Sequence, residues 1–292
     1  MSRSAEAGKA DFSHIYDRPD PRDYFRTLRE FDYEIPQRAQ PIFRRLLRAI
    51  RPDAVATPVR VLDLCCSYGV NAALLRCDVT LDELFERYAN PALSELAPPE
   101  LAEADADYYA QRLRADAVDV SGLDMAGNAV AYGRRVGLLG NGWAENLETD
   151  DPSPELADHL SGVDLITTTG GVGYITERTF GRVADVHHDG SAPWVAAFVL
   201  RQFSYDRISA ALERRGLVTE QLTGVSFPQR RFASDGEQHA ALRAVSERGL
   251  DPAGHEEAGR YYADFYLSRP AADAARQPVA ELLAGADDTT DR

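Results

Sequence analysis

The chain is poor in cysteine, in lysine and in long apolar runs. Its three cysteines, Cys65, Cys66 and Cys77, have a spacing that fits neither a disulfide framework nor a set of zinc ligands. Lys9 is the one lysine among many arginines, which we read as genome composition. No run approaches the ~20 apolar residues that a membrane span needs, and the first residues, MSRSAEAGKADF, lack a signal-peptide core. We expect a cytoplasmic protein with no metal site and no membrane partner.

Positive charge is also scarce. The 292 residues include 47 acidic and 32 basic side chains, for a net charge of -15. Binding to nucleic acid or to an anionic membrane needs clustered positive charge, so this balance argues against both. The length fits one large α/β domain with appendages. We therefore expect a small-molecule substrate, and the sequence leaves a monomer and a homodimer equally open.

Short apolar runs alternate with helical segments through most of the chain. This alternation predicts a parallel sheet covered by helices on both faces. Two further strand candidates near the end, LVTEQLTGVSFPQRRF and RYYADFYLSRP, resemble a sheet edge. The five runs that precede them are VRVLDLC, AVDVSGLDM, GNGWAENL, VDLITTTG and PWVAAFVLR.

We divide the chain into three parts. Residues 1–52 form a predicted N-terminal helical cap, in which Pro36 suits the first turn of a helix. Residues 53–278 form the α/β domain, and residues 279–292 a flexible acidic tail. The helices expected in the cap are PRDYFRTLREF and PQRAQPIFRRLLRAI.

One spacing within the α/β domain is abnormal. The acidic residue after the second strand of a nucleotide-binding unit lies ~20 residues beyond the glycine loop, whereas Asp124 lies 55 positions beyond Gly69. The excess carries its own helix signals, including Thr80 with Glu83 as a capping box. We predict a helical insertion at about residues 80–115. It either packs on one face of the sheet or forms a lid over the site.

The stretch VRVLDLCCSYGVNAALL is the strongest local signal. An apolar strand ends at Asp63, a tight turn follows through Gly69, and a helix begins near Asn71. This arrangement puts a helix N-terminus at the carboxyl edge of the sheet, where open α/β sheets bind ligands. A dinucleotide loop would read G-x-G-x-x-G, but this loop reads D-x-C-x-S-x-G. A dehydrogenase is therefore the weakest interpretation.

VLDLCCSYG resembles motif I of the class I S-adenosylmethionine-dependent methyltransferases. Asp63 matches the acidic position of that motif and Gly69 its last glycine, while Cys65 and Ser67 replace the first two glycines. The resemblance covers about residues 55–270. It implies a Rossmann-like, doubly wound sheet of six parallel strands and an antiparallel seventh, with S-adenosylmethionine as cofactor. Asn71 would lie at the cofactor end of the following helix.

Later segments continue the resemblance. VSGLDMAGNAVAYGRRVGL is similar to the second motif, which places Asp124 on the ribose hydroxyls with Met125 beside it. An alternative for Asp124 is a helix N-cap. After the third strand, Asn146 and Leu147 hold the position that contacts adenine in the family.

The remaining candidates would face the transferred group or the acceptor. Thr168 belongs to the fourth strand end, and Tyr174 either lies near the sulfonium or packs under the next helix. Ser204 follows the fifth strand, where it is either a substrate contact or part of a helix cap. Tyr16 lies on the cap with Tyr24 and Tyr33, on a segment that in many such enzymes crosses the cofactor. We assign Tyr174, Ser204 and Tyr16 as catalytic candidates.

The six histidines do not predict a catalytic base. His14 lies on a segment that could reach the site. An amine or a carboxylate attacks with little help once positioned, whereas a weakly acidic hydroxyl needs a base or a metal. The other histidines lie on apparent helices or loops away from the carboxyl edge: His159, His187, His188, His239 and His255.

Three functions remain open. The leading hypothesis is methyl transfer to a small polar metabolite by in-line displacement. The second is a cyclase, in which the amino group of S-adenosylmethionine attacks its own γ-carbon and yields azetidine-2-carboxylate and methylthioadenosine. The third is a non-catalytic module that binds the cofactor without turnover.

Overall fold

The computed structural model describes residues 13–51, 57–116, 118–186 and 192–285. The predicted N-terminal end, most of the acidic tail and the pair His187-His188 lie outside these residues. Within the described ranges, no helix combines the length and the apolar character that crossing a bilayer requires.

The chain forms one mixed sheet. Its strand order is β3-β2-β1-β4-β5-β8-β6, and β7 also pairs with β8. Strands β1 to β5 pair with one another in parallel, whereas β8 runs antiparallel to β5, β6 and β7. The predicted doubly wound, mostly parallel sheet is therefore confirmed. The strands are β1 Val59–Leu64, β2 Val118–Leu123, β3 Gly142–Trp143, β4 Leu165–Thr169, β5 Trp194–Leu200, β6 Leu217–Gln221, β7 Phe227–Arg231 and β8 Arg260–Pro270.

The sheet has eight strands because its sixth is interrupted. β6 pairs with the second half of β8 and β7 with the first half, both in the antiparallel sense. The sequence predicted one continuous strand from Leu217 to Phe232. The strand breaks instead at residues 222–226, where Gly224 adopts a φ of 84° that favours glycine.

The helices follow the predicted alternation. The two cap helices form as expected, and Pro36 lies in the first turn of α3, where its missing N–H is harmless. The helices are α1 Ser13–Tyr16, α2 Arg22–Glu30, α3 Ile35–Ile50, α4 Val70–Arg76, α5 Leu81–Ala89, α6 Pro91–Ser94, α7 Pro98–Ala110, α8 Gly127–Arg135, α9 Pro154–Leu160, α10 Glu177–Asp185, α11 Asp206–Glu213, α12 Asp235–Glu247, α13 Ala271–Arg276 and α14 Val279–Leu282.

The predicted insertion consists of α5, α6 and α7. Thr80 and Glu83 form the expected capping box: the Thr80 hydroxyl accepts from the Glu83 N–H, and the Glu83 carboxylate accepts from the Thr80 N–H. These reciprocal bonds satisfy N–H groups that a helix leaves unpaired at its start. The insertion begins where the sequence predicted it.

Apolar side chains pack on both faces of the sheet. On one face, the cap helices α2 and α3, helix α4 and the insertion share a single core. Phe43 of α3 meets Phe198 of β5 with ring centroids 5.6 Å apart. On the other face, α9, α10 and α11 cover the sheet. The cap is thus fixed on the sheet by burial, which places Tyr16 and Asp17 over the carboxyl edge.

Candidate functional site

A cavity of about 490 Å³ opens at the carboxyl edge of β1, β2 and β4. Its volume is typical of small-molecule sites. The residues that follow β1, β2, β3 and β4 all reach it, together with the cap and β7. Nine of the residues predicted from the sequence line this cavity: Tyr16, Cys65, Ser67, Asn71, Asp124, Met125, Asn146, Leu147 and Tyr174.

The loop after β1 keeps the backbone conformation of a glycine loop without the glycines. Cys65 has a φ of 58° and Ser67 a φ of 47°, both in the left-handed region, and Gly69 has 82°. This region disfavours residues with a Cβ by about 1–2 kcal/mol each. The Cys65 side chain finds room because it lies against Gly171, where an added Cβ would come within 2.9 Å of Sγ. Both replacements therefore keep the turn and add side chains to it.

The backbone donors of this loop are bound within the protein. The N–H groups of Cys65 and Cys66 both donate to the Leu123 carbonyl, and that of Gly69 donates to the Cys66 carbonyl. The Ser67 N–H donates to Asp124 Oδ2 over 2.8 Å. A pyrophosphate cradle needs such donors to point at the ligand. The arrangement therefore does not suit a dinucleotide.

Asp124 ties the end of β2 to this loop. Besides the bond from Ser67, its Oδ1 accepts from the Ala126 N–H at 2.9 Å. Burial raises the pKa of Asp124. Helix α8 has Ala126 as its N-cap residue, so Asp124 does not fill the cap position that was its alternative. A carboxylate has about four acceptor sites, so these backbone bonds do not use its full capacity and Asp124 can still accept from a ligand in the cavity.

Asp63 lies beneath the cavity and does not line it. It is 1% exposed and accepts from Asn71 Nδ2 at 3.0 Å and from Thr167 Oγ1 at 2.8 Å. Burial raises the pKa of this carboxyl to about 7, although the two hydrogen bonds oppose the shift. The Asn71 amide also donates to Thr169 Oγ1. These bonds fix the orientation of Asn71, and its Oδ1 has no hydrogen-bond partner among the described residues.

The three predicted cap tyrosines close one side of the cavity. The ring centroids of Tyr16 and Tyr24 are 5.6 Å apart, and those of Tyr24 and Tyr33 are 6.4 Å apart. Burial raises the pKa of Tyr33 to about 12 and raises that of Tyr16 further. All of these phenols are neutral at physiological pH. They can supply ring faces and hydrogen bonds, but none is a ready base.

Tyr68 fastens the cap to the loop. Its hydroxyl accepts from the Arg18 N–H at 2.8 Å and lies 3.2 Å from the Ile15 carbonyl, to which it can donate. Asp17 adds a second tie, because its carboxylate accepts from the Asn128 N–H at the start of α8. The segment that carries Tyr16 is thus held at both walls of the cavity.

The loop after β3 forms the opposite end. Asn146 Oδ1 accepts from the Glu148 N–H at 3.1 Å, and Leu147 is buried beside it. Glu148 in turn accepts from Thr176 and Thr179. Burial would raise the pKa of Glu148, but these hydrogen bonds outweigh it and lower the pKa. This end therefore has a negative charge held in place by the start of α10.

Four predicted residues do not line the cavity. Besides Asp63, Gly69 is the N-cap of α4, and Thr168 is fully buried in β4. Ser204 is exposed, and its hydroxyl accepts from the Asp206 N–H at the start of α11. The N-cap of α11 is Tyr205, so Ser204 lies next to the cap position and does not fill it. A catalytic role for it is not supported by its position.

The sequence missed several lining residues. Gln229 and Arg230 reach the cavity from β7, and Asp17 reaches it from the cap. Glu145 and Glu148 flank the predicted pair after β3. The three acidic residues could have been predicted from the sequence, because each lies next to a predicted position. Gln229 and Arg230 gave no such signal.

The insertion does not reach the cavity. Among the residues described between positions 80 and 115, none belongs to the lining. Helix α5 packs against α2, and Arg29 of α2 binds Glu86. Of the two roles left open, this placement favours packing over a lid.

Comparisons with known proteins find only distant similarity. No protein-family model and no curated protein matches the chain. Among solved structures, magnesium protoporphyrin IX methyltransferase from Synechocystis, with bound S-adenosylmethionine, is 10% identical; the match covers 80% of this chain and 79% of that one, with a TM-score of 0.38. The plantazolicin methyltransferase BpumL, with S-adenosylhomocysteine, is 11% identical over 92% and 95%, with a TM-score of 0.41. A TehB-like methyltransferase from Corynebacterium glutamicum is 14% identical over 79% and 96%, with a TM-score of 0.34. At such values the similarity assigns no activity to this chain.

Proposed function

We propose that the protein is an S-adenosylmethionine-dependent methyltransferase that acts on a small molecule. One observation carries the proposal. The loop after β1, Asp124 after β2 and Asn146 with Leu147 after β3 converge on one cavity. These are the places where the class I family, which the sequence resembles, holds the aminoacyl, ribose and adenine parts of its cofactor.

The residues present fit that cofactor. Ser67 Oγ and Asn71 Oδ1 are buried and have no hydrogen-bond partner among the described residues. Both can accept from the ammonium group of an aminoacyl moiety. The remaining acceptor capacity of the Asp124 carboxylate suits ribose hydroxyls. Tyrosine rings and acidic side chains also suit a sulfonium, because ring faces attract cations. The cofactor would supply an electrophilic methyl group.

The chain itself would act by orientation. The tyrosines are neutral, and no histidine belongs to the described lining. Asp63 is buried beneath Asn71 and has no access to a substrate in the cavity. Such a site favours an acceptor that needs only to be held in line with the methyl group. A neutral amine nitrogen has this property.

A cyclase on the same site is the second candidate. Its support is the loop after β1, where the Ser67 hydroxyl adds an unpartnered acceptor at the aminoacyl end. There the amino nitrogen of the cofactor would attack its own γ-carbon while the bond from that carbon to sulfur breaks. Methylthioadenosine would leave, and the proton on nitrogen would pass to solvent. The products would be azetidine-2-carboxylate and methylthioadenosine.

Mass spectrometry of one incubation separates these functions. Purified protein is mixed with S-adenosylmethionine alone and then with a panel of amines. We expect S-adenosylhomocysteine to form only when an acceptor is present. If methylthioadenosine forms in the mixture without an acceptor, the cyclase is the correct function and the methyltransferase proposal is wrong. If S-adenosylmethionine binds but no product forms in either mixture, the protein is a non-catalytic module that binds the cofactor.

Calorimetry with S-adenosylhomocysteine tests the cofactor site. Asp124→Ala should weaken binding at least tenfold, since charged hydrogen bonds contribute ~1.5–3 kcal/mol each. Asp119→Ala is the matched control, because Asp119 lies on the same strand about 17 Å toward the other edge. Thermal melting of both variants checks that the loop tied by Asp124 still folds. Equal affinities for the two variants would contradict the placement.

A further inference from the structure

A β-bulge in β7 turns two successive side chains toward the cavity. Pro228 pairs with Tyr262 of β8, and Arg230 pairs with the adjacent residue of β8, Tyr261. Gln229 is therefore an extra residue of β7 that has no pairing partner on β8. Successive side chains of a regular strand face opposite sides of the sheet. A bulge changes that direction and often lies beside an active site. Here it allows both Gln229 and Arg230 to line the cavity.

The Gln229 amide is buried and incompletely bonded. Gln229 is 4% exposed, and its Oε1 has no hydrogen-bond partner among the described residues. Its Nε2 lies against Gly170, where an added Cβ would come within 2.5 Å. The backbone is fixed as well, because the Gln229 carbonyl accepts from the Glu34 N–H at 2.8 Å. The amide is held in place and offers a free acceptor.

Gln229 lies at the opposite end of the cavity from the adenine position. Gly170 follows β4, whereas Asn146 follows β3, and β2 and β1 lie between these strands. Three strand spacings correspond to about 14 Å. The cap meets β7 here, because α3 packs against that strand and the Glu34 N–H donates to the Gln229 carbonyl. The cap residues of the lining are mostly apolar or aromatic and include Tyr24, Leu28, Tyr33 and Pro36. This end is therefore distant from the adenine position, while Asn71 at the aminoacyl position lies between the two, bonded to Thr169 at the end of β4.

The charge at this end is balanced. Arg230 is the cationic residue of the described lining, and its guanidinium makes two hydrogen bonds to the buried Glu237 carboxylate at 2.7 and 3.0 Å. The other charged lining residues are Asp17, Asp124, Glu145 and Glu148. An anionic ligand at this end would thus meet an arginine that is already neutralised, inside a cavity whose lining as a whole carries an excess of carboxylates. The lining disfavours it.

We infer that Gln229 Oε1 accepts a hydrogen bond from the methyl acceptor, and that this acceptor is a planar molecule without negative charge that carries an N–H or O–H group. The inference rests on the proposed methyltransferase function. The tyrosine rings and Pro36 would contact the faces of the planar group, since aromatic rings pack in stacked or edge-to-face pairs. Gln229 Oε1 would accept a hydrogen bond from the N–H or O–H group of the acceptor. It is a specificity-determining residue and takes no part in the transfer.

Four probes test this recognition with S-adenosylhomocysteine bound. Phenol and indole each carry a donor on a planar ring, toluene lacks the donor, and benzoate replaces it with a charge. Binding is followed by calorimetry and by NMR line broadening of each probe. Phenol and indole should bind, toluene should bind at least fivefold more weakly, and benzoate should not bind.

Variants assign the effect to Gln229. Gln229→Met should weaken phenol and indole about five- to tenfold, as expected for one lost hydrogen bond, and leave toluene unchanged. Gln229→Glu retains an oxygen acceptor and should restore most of the affinity. Gln202→Met is the matched control: Gln202 is also buried with an unpartnered amide, but it does not line the cavity.

The outcomes separate this inference from the function on which it rests. If the wild-type protein fails to bind S-adenosylhomocysteine, the proposed function falls. If that ligand binds, the inference is overturned by any of three results: phenol and indole do not bind, benzoate binds as well as they do, or Gln229→Met leaves them unchanged. A fourth result also overturns the inference. If Gln229→Met binds S-adenosylhomocysteine more weakly than the wild-type protein when no probe is present, Gln229 belongs to the cofactor site.

Discussion

Two buried aspartates, one in the insertion and one beneath the cavity, have opposite surroundings. Asp105 of α7 is 0% exposed and Asp63 of β1 is 1% exposed. Asp105 accepts from Arg87 Nε and Nη2 at 2.8 and 2.6 Å, from the Tyr88 hydroxyl at 2.7 Å and from the Tyr132 hydroxyl. Among the described residues, the side chains that donate to Asp63 are the neutral ones of Asn71 and Thr167.

The contrast separates a structural carboxylate from a site carboxylate. Asp105 has a cationic partner and joins α5, α7 and α8. No cation of the described part of the chain donates to Asp63, and burial raises its pKa to about 7. A carboxyl near neutrality is typical of functional sites. The same residue type thus fastens the insertion at one place and orients a cavity side chain, Asn71, at the other.

Asp105→Ala should have the largest effect. Removing one partner of a buried ion pair leaves Arg87 uncompensated, which destabilises a protein by about 3 kcal/mol or more. Urea unfolding should show this loss. Because the insertion does not line the cavity, the affinity for S-adenosylhomocysteine should change less than twofold where the variant is folded.

Asp107→Ala is the control for the first variant. Asp107 is exposed on the same helix, and its replacement should change the free energy of unfolding by less than about 0.5 kcal/mol. If Asp105→Ala is fully folded but binds the cofactor much more weakly than the wild-type protein, the insertion acts as a lid.

Asp63→Asn should remove a pH dependence of stability. The folded-state pKa of about 7 lies above the unfolded value of about 4, so the native state binds the proton more tightly. The stabilising contribution of Asp63 is fully present below about pH 4 and is lost as the pH rises to about 7. Between about pH 5 and pH 8, the wild-type protein should lose roughly 2 kcal/mol relative to Asp63→Asn.

The measurement is the free energy of unfolding in urea at both pH values. Taking the difference between the two proteins cancels the other carboxylates, including Glu148, whose pKa shifts the other way. Asp82→Asn removes an exposed carboxylate at the start of α5 and controls for the loss of charge. A difference that is equal at both pH values would show that Asp63 is ionised throughout.

Local sequence signals predicted the framework well. The capping box at Thr80, Pro36 in the first turn of α3 and the turn after Asp63 all form at the predicted residues. Each signal depends on neighbours within a few positions, so the chain itself determines it.

Side-chain direction was harder to predict. Ser204 follows a strand at the carboxyl edge, yet it is exposed and its hydroxyl accepts from the Asp206 N–H outside the cavity. Asp63 matches a cofactor motif, yet it lies beneath Asn71. Strand alternation would place Gln229 and Arg230 on opposite faces, and the bulge that brings them together depends on the pairing of β7 with β8. Such pairing is a tertiary property that single-strand periodicity does not contain.

Thr167→Val should have the smallest effect and the most specific pattern. Thr167 is fully buried and donates to Asp63 Oδ1, so its loss removes a bond that stabilises the ionised carboxyl. The pKa of Asp63 should rise further, and the variant should lose about 1 kcal/mol at about pH 8 and less at about pH 5. Thr168→Val is the matched control, since the adjacent buried hydroxyl has no partner among the described residues. Equal losses in the two valine variants would mean that packing, and not the donor to Asp63, sets the stability of this strand end.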